Sequence, residues 1–101
     1  MNKLSSYLGL AKKAGKVTSG IPLIIEALRS KSKPALVVAS ATASDNSLKK
    51  ISDKCNFYGV TLIKVSLSPE ELASAVGGMG SVAALAINDG GLADLVRSAI
   101  D

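Results

Sequence analysis

The apolar residues fall into short clusters of two kinds that alternate along the chain. Leu4, Leu8 and Ala11 recur at helical spacing, with Lys12 and Lys13 on other faces. They predict a first helix that stops near Gly15, a residue able to take the left-handed conformation that closes helices. Residues 16–19 predict a short strand. Gly20-Ile21-Pro22 then opens a second helix running to Leu28 or Arg29, and proline fits there because first-turn amides have no acceptor within the helix. Residues 30–34 form a basic loop. Ala35-Leu36-Val37-Val38-Ala39 is apolar throughout, as expected of a strand covered on both faces. A small polar stretch with several capping residues follows. Leu48, Ile51 and Cys55 then mark the inner face of a third helix, with Lys49, Lys50 and Lys54 mostly outside. Gly59 breaks the chain before a strand at residues 60–65. In Ser68-Pro69-Glu70-Glu71, Ser68 can cap a fourth helix, Pro69 suits its first position and Glu71 completes a capping box. That helix runs to about Val76 and ends at Gly77-Gly78. Residues 82–87 predict the last strand, and Asn88-Asp89-Gly90-Gly91 turns into a final helix with Leu92, Leu95, Val96 and Ala99 apolar.

This alternation implies one α/β domain over residues 1–101, with helices on both faces of a small sheet. A chain of 101 residues, 48% of them hydrophobic, can bury roughly two-thirds of its surface without disulfides or metals. No apolar run approaches the ~20 residues of a membrane-crossing helix. The N-terminal Met1-Asn2-Lys3-Leu4-Ser5-Ser6 lacks the apolar centre of a secretion signal, and the single cysteine, Cys55, cannot form an internal disulfide. Together these predict a cytoplasmic location. With no histidine, zinc fingers, Ser-His-Asp triads and Cys-His dyads are excluded. Cys55, at core spacing, reads as a small buried residue rather than a nucleophile.

Charge changes the picture more than composition does. The net charge is +4, and the first 33 residues hold Lys3, Lys12, Lys13, Lys16, Arg29, Lys31 and Lys33 against Glu26 alone. Residues 55–101 are net acidic. Such asymmetry suggests a basic face for a polyanion; a surface with its charges spread around the fold is the other reading. Only Tyr7, Phe57 and Tyr58 are aromatic, too few for a sheet platform that stacks successive bases. Backbone amides, helix ends and shape remain as means of recognition.

Three segments invite a chemical reading. Gly77-Gly78-Met79-Gly80-Ser81 is glycine-rich, but it follows a helix and precedes a strand, the reverse of a nucleotide-binding loop, and contains no Gly-Lys-Ser/Thr. It reads as a helix stop and flexible turn. Glu70 and Glu71 lie side by side at a helix start, where the dipole favours acids, and point apart; they read as capping groups rather than a catalytic pair. No carboxylate has a partner at metal-ligand spacing, so neither metal nor cofactor is expected. The segment from Lys12 to Lys33 is the informative one. It sets Lys12, Lys13 and Lys16 before the helix start at Gly20-Ile21-Pro22, and Arg29, Lys31 and Lys33 beyond the helix. The free amides of a helix start favour anions, and glycine lets a backbone approach closely; alternatively, Gly20 serves only the strand-to-helix turn.

Three stretches carry a resemblance: Leu8-Gly9-Leu10-Ala11-Lys12-Lys13-Ala14-Gly15-Lys16-Val17-Thr18-Ser19-Gly20, then Leu36-Val37-Val38-Ala39-Ser40, then Asp53-Lys54-Cys55-Asn56-Phe57-Tyr58-Gly59-Val60. Over nearly the whole chain the sequence resembles the bacterial YlxQ type of the ribosomal protein L7Ae superfamily. The resemblance implies a three-layer α/β/α sandwich around a small four-stranded mixed sheet. It also implies binding of kink-turn RNA, a sharply bent helix with tandem sheared G·A pairs. In that family the turn from the first strand into the second helix enters the RNA groove, which places Ser19, Gly20, Ile21, Pro22 and Leu23 at the RNA. Lys12, Lys13, Lys16, Lys31 and Lys33 would be phosphate contacts. Most members carry Asn-Glu or Glu-Glu types where this chain has Pro22 beside Ile21 and Leu23, and a lysine common later in that helix aligns with Glu26. The loop before the last strand usually has a basic residue after its glycine, where this chain has Gly78-Met79. The Leu-Gly step of the fourth helix is Leu72-Ala73.

These departures point one way. Pro22 and Leu23 present no donor or acceptor to a base edge, and one good base contact gives about 1–3 kcal/mol of discrimination in DNA complexes. Polar base edges against Ile21 and Leu23 would be left unsatisfied. Lysines still supply affinity and salt dependence without reading sequence. The expectation is therefore a monomeric ribosomal-protein-like RNA binder with weakened base reading and no DNA specificity or membrane partner. The alternative is a protein-interaction module that kept the fold, using Ile21-Pro22-Leu23 as an apolar patch. An enzyme comes third, with only the glycine turn and scattered carboxylates behind it.

Overall fold

The computed structural model describes residues 2–100. Among them five helices and four strands follow in the order α1 (Lys3–Lys13), β1 (Val17–Ser19), α2 (Ile21–Arg29), β2 (Leu36–Ser40), α3 (Asp45–Tyr58), β3 (Leu62–Val65), α4 (Pro69–Ala75), β4 (Ala84–Ile87) and α5 (Gly90–Ser98). Local chemistry sets most of these boundaries. Asn2, Ser44, Ser68 and Asp89 each accept from an amide three residues on and start α1, α3, α4 and α5. Ser68 and Glu71 exchange both bonds of a capping box (3.1 and 2.8 Å). Glycines in the left-handed region end α1 (Gly15, φ 73°), α3 (Gly59, φ 70°) and α4 (Gly77, φ 74°). None of the described helices is long and apolar enough to cross a membrane.

The strands form one sheet in the order β1-β4-β2-β3, with β2 and β3 parallel and the other two pairs antiparallel. The sheet is thus four-stranded and mixed. Alternation along β2 and β4 divides the core in two. Leu36, Val38, Leu85 and Ile87 face α1, α4 and α5 through Leu4, Leu8, Leu72 and Val96. Val37, Ala39, Ala84 and Ala86 face α2 and α3 through Ile24, Ile25, Leu28, Ile51 and Cys55. Both central strands are buried along their whole length, because each face is roofed by helices. The architecture is the three-layer α/β/α sandwich expected.

Three strands are shorter than their apolar runs predict, each because a carbonyl of a neighbouring helix claims an amide. Lys16 donates to Ala11 O and belongs to the close of α1, so β1 begins at Val17. Val60 donates to Cys55 O, and β3 begins at Leu62. Val82 donates to Pro69 O, and β4 begins at Ala84.

Strand direction gives the sheet two ends that matter for the site. β1, β2 and β3 all run towards what we call the upper end, where β4 starts. Val17 pairs with Ile87 and Leu36 with Ile87 at the lower end, while Gly20 donates to Ala84 O at the upper end. The first turns of α2 and α3 follow strands that finish at the upper end, and both helices run down to the lower end.

Candidate nucleic-acid interface

The turn from β1 into α2 differs from the other helix starts. Gly20, the N-cap of α2, has φ 90° and ψ 143°, a region open to glycine and strained for other residues. A Cβ at this position would meet nothing within 4 Å, so the demand for glycine comes from backbone conformation and not from crowding. The Gly20 amide donates to Ala84 O (3.1 Å) and its carbonyl accepts from Ile24 N (3.0 Å), which anchors the corner to β4. No side chain caps α2, whereas each of the other four described helices has a side-chain oxygen on its first turn. Pro22 has no N–H. The amides of Ile21 and Leu23 are therefore the first-turn donors that point out along the axis, and the positive end of the helix dipole sits with them. This is one donor fewer than a helix start without proline offers.

The side chains of the corner are apolar. Ile21 is half-buried against the core beneath α2. Pro22 and Leu23 are exposed, Leu23 to 56%. Glu26, three residues beyond Leu23 and four beyond Pro22, is exposed on the same helix face, so the one formal charge on this face opposes a polyanion. Ser19 ends β1, half-buried and paired with Leu85.

The lysines do not ring this corner. Lys12 and Lys13 occupy the last turn of α1 and Lys16 precedes β1, all at the lower end. Lys16 and Gly20 bracket an extended segment of about 13 Å, at ~3.3 Å per residue. Lys31 and Lys33 follow α2 and lie at the lower end as well. The expected cluster therefore resolves into two: Ser19, Gly20, Ile21, Pro22 and Leu23 above, and Lys12, Lys13, Lys16, Lys31 and Lys33 below. Within the lower group α1 packs on one sheet face and α2 on the other, so Lys12 and Lys13 lie on the opposite side of the sheet from Lys31 and Lys33. Lys33 is also partly engaged: its Nζ donates to Ser30 O (3.0 Å) and lies 5.5 Å from the centroid of the Tyr58 ring.

The glycine-rich stretch after α4 forms the loop that precedes β4. The loop between α4 and β4 returns the chain to the upper end, where Ala83 O accepts from Ser40 N (2.9 Å). Met79 at its tip is 97% exposed. The run of glycines at 77, 78 and 80 was its only signal, and glycine composition does not say which end of a sheet a loop visits. Elsewhere Cys55 is buried and its thiol is pushed up from 9.0 to about 11 by desolvation, which keeps it protonated and unreactive at neutral pH. The described residues hold no group of His, Cys, Asp or Glu that could bind a metal.

The profile of the ribosomal protein L7Ae/L30e/S12e/Gadd45 family matches residues 2–96. Among curated relatives, a protein named RNA-binding protein YlxQ from Bacillus subtilis is 39% identical over 94 residues, covering 93% of this chain and 91% of its own. One of the same name from Enterococcus faecium is 31% identical over 99 residues, covering 98% and 92%. Among solved structures, a Bacillus halodurans protein of unknown function superposes with TM-score 0.82 at 28% identity, over 96% of this chain and 99% of that one. A Giardia lamblia 15.5 kD RNA binding protein has the same fold, with TM-score 0.75 at 16% identity over 96% and 84%.

Proposed function

This chain belongs to the ribosomal protein L7Ae/L30e/S12e/Gadd45 family, with relatives of the YlxQ type, and on that premise we propose that it binds structured RNA at the corner between β1 and α2. The observation that carries the reading is the uncapped start of α2 at Gly20, whose conformation only glycine takes without strain. The Ile21 and Leu23 amides there supply donors for a phosphate or a base edge. A sharply bent, kink-turn-like RNA suits a corner that projects at a sheet edge. Apolar Pro22 and Leu23, with Glu26 behind them, weaken base-specific reading, so shape and backbone contacts dominate. Lys16 lies about 13 Å from Gly20 along the same edge, a span that several phosphates of one strand cover, and Lys12 and Lys13 precede it in the last turn of α1. The names of the two relatives as RNA-binding proteins support an RNA-binding role over an enzymatic one.

Filter binding of a kink-turn RNA against a straight duplex of equal length tests this. The expected result is tighter binding of the kinked RNA, with the preference increased in Pro22→Glu/Leu23→Gln. Equal, weak binding of both RNAs would reject kink-turn recognition. The exposure of Leu23 beside Pro22 at this corner favours a second reading, in which the corner takes a protein partner. That reading requires a complex that survives RNase treatment.

A further inference from the structure

Phe57 is 79% exposed although it lies in the last turn of α3, one residue from Tyr58, which packs against the core beneath α2 and α3. Its ring is nonetheless held. Phe57 and Tyr58 meet edge to face, centroids 4.9 Å apart and planes at 87°, the geometry that aromatic quadrupoles favour. Tyr58 is held in turn by Lys33, whose Nζ sits 5.5 Å from the ring centroid and donates to Ser30 O. The surroundings are basic. Arg29 closes α2, Lys31 and Lys33 follow it at the same lower end, and Lys50 and Lys54 share the outer face of α3 with Phe57. The carboxylate on that face, Asp53, is engaged by Lys49 at 3.2 Å, and Glu26 lies about one turn back along α2 from Arg29.

We propose that Phe57 and the cations around it form a second RNA contact, a stacking site for an unpaired base at the opposite end of the sheet from the Gly20 corner. This rests on the reading that the partner is RNA and adds which part of that RNA meets the lower end: a single-stranded loop or flanking strand. Single-stranded RNA is gripped by aromatic faces that stack unpaired bases and by lysines and arginines that track the phosphates. Both are present, and the ring is positioned before binding, which lowers the ordering cost. The sheet platform argued against by the aromatic count is a different device; a single base needs a single ring.

The test uses the full chain and two probes. One is a fluorescein-labelled unstructured 12-mer oligoribonucleotide followed by anisotropy; the other is a kink-turn RNA without unpaired tails. Phe57→Ala and Phe57→Leu should weaken binding of the 12-mer by about five-fold or more, the low end of one base stack. Phe57→Trp should bind it at least as tightly as the natural chain, and none of the three should change binding of the tailless RNA by more than two-fold. Because the ring is solvent-exposed, these variants keep the core intact. If the 12-mer binds all four proteins equally, or fails to bind while the kink-turn RNA binds, the stacking site is wrong and the Gly20 reading stands. If neither RNA binds, both readings fall.

Discussion

One added methyl group should shift stability in opposite directions at Gly20 and at Gly90. A Cβ at either position meets nothing within 4 Å, so neither packing nor clash decides the outcome. Backbone conformation does. Gly20 sits at φ 90°, where a side chain costs of order 1–3 kcal/mol. Gly90, the first residue of α5, is outside the positive-φ glycines of the chain. Alanine there restricts the unfolded chain and stabilises by about 0.4–1 kcal/mol. For a domain of this size 1 kcal/mol moves Tm by about 4–8 °C. Gly20→Ala should therefore lower Tm by at least ~4 °C, and Gly90→Ala should raise it by ~2 °C or more. The assay is thermal and urea unfolding followed by far-ultraviolet circular dichroism. The two glycines lie at opposite ends of the sheet, so the double variant should equal the sum of the singles to within ~0.5 kcal/mol. A Gly20→Ala protein as stable as the natural chain would refute the argument and remove the conformational reason for glycine at the corner.

Lys13→Ala with Lys16→Ala should flatten the dependence of log K on log salt for a structured RNA by up to about two phosphate equivalents, ~0.9 each in duplex DNA; an unchanged slope would move the binding face away from the β1 edge. Ser68→Ala removes the hydroxyl arm of the capping box, while the Ser68 N–H can still donate to Glu71, and should cost about 1 kcal/mol in urea unfolding, with no change in RNA affinity. For Cys55, the thiol is protonated in both states below pH 9. Between pH 9 and the folded value of about 11 only the unfolded chain ionises, so this group's contribution is full below pH 9 and is lost as pH rises. The urea midpoint should therefore fall between pH 8.5 and 10.5 by more in the natural chain than in Cys55→Ala. Equal falls would mean that the buried thiol is not the cause.

Much of the fold was legible because its signals are local. The Ser68–Glu71 box and the glycines at 15, 59 and 77 each close within a few residues of chain. The all-apolar runs behind β2 and β4 report burial on both faces. The strand ends were less legible: Lys16, Val60 and Val82 look like strand residues, and whether a helix carbonyl or a ladder claims each amide is settled by competition between neighbouring elements. Gly20 could be singled out from Gly-Ile-Pro, but its φ and the missing cap could not.

The sequence alone determined which segments are helix or strand, where most helices begin and end, and that the first third of the chain is basic. Only the tertiary structure decided where those charges lie. The sheet order joins residues as distant as Val17 and Ile87 through backbone bonds that leave no imprint on residue type. That pairing directs Gly20 to one end of the sheet and sends Lys12, Lys13, Lys16, Lys31 and Lys33 to the other. It also brings Lys33 over Tyr58 and leaves Phe57 in solvent. Charge and hydropathy are properties of single residues, whereas a binding face is a property of which residues the strand ladders set side by side.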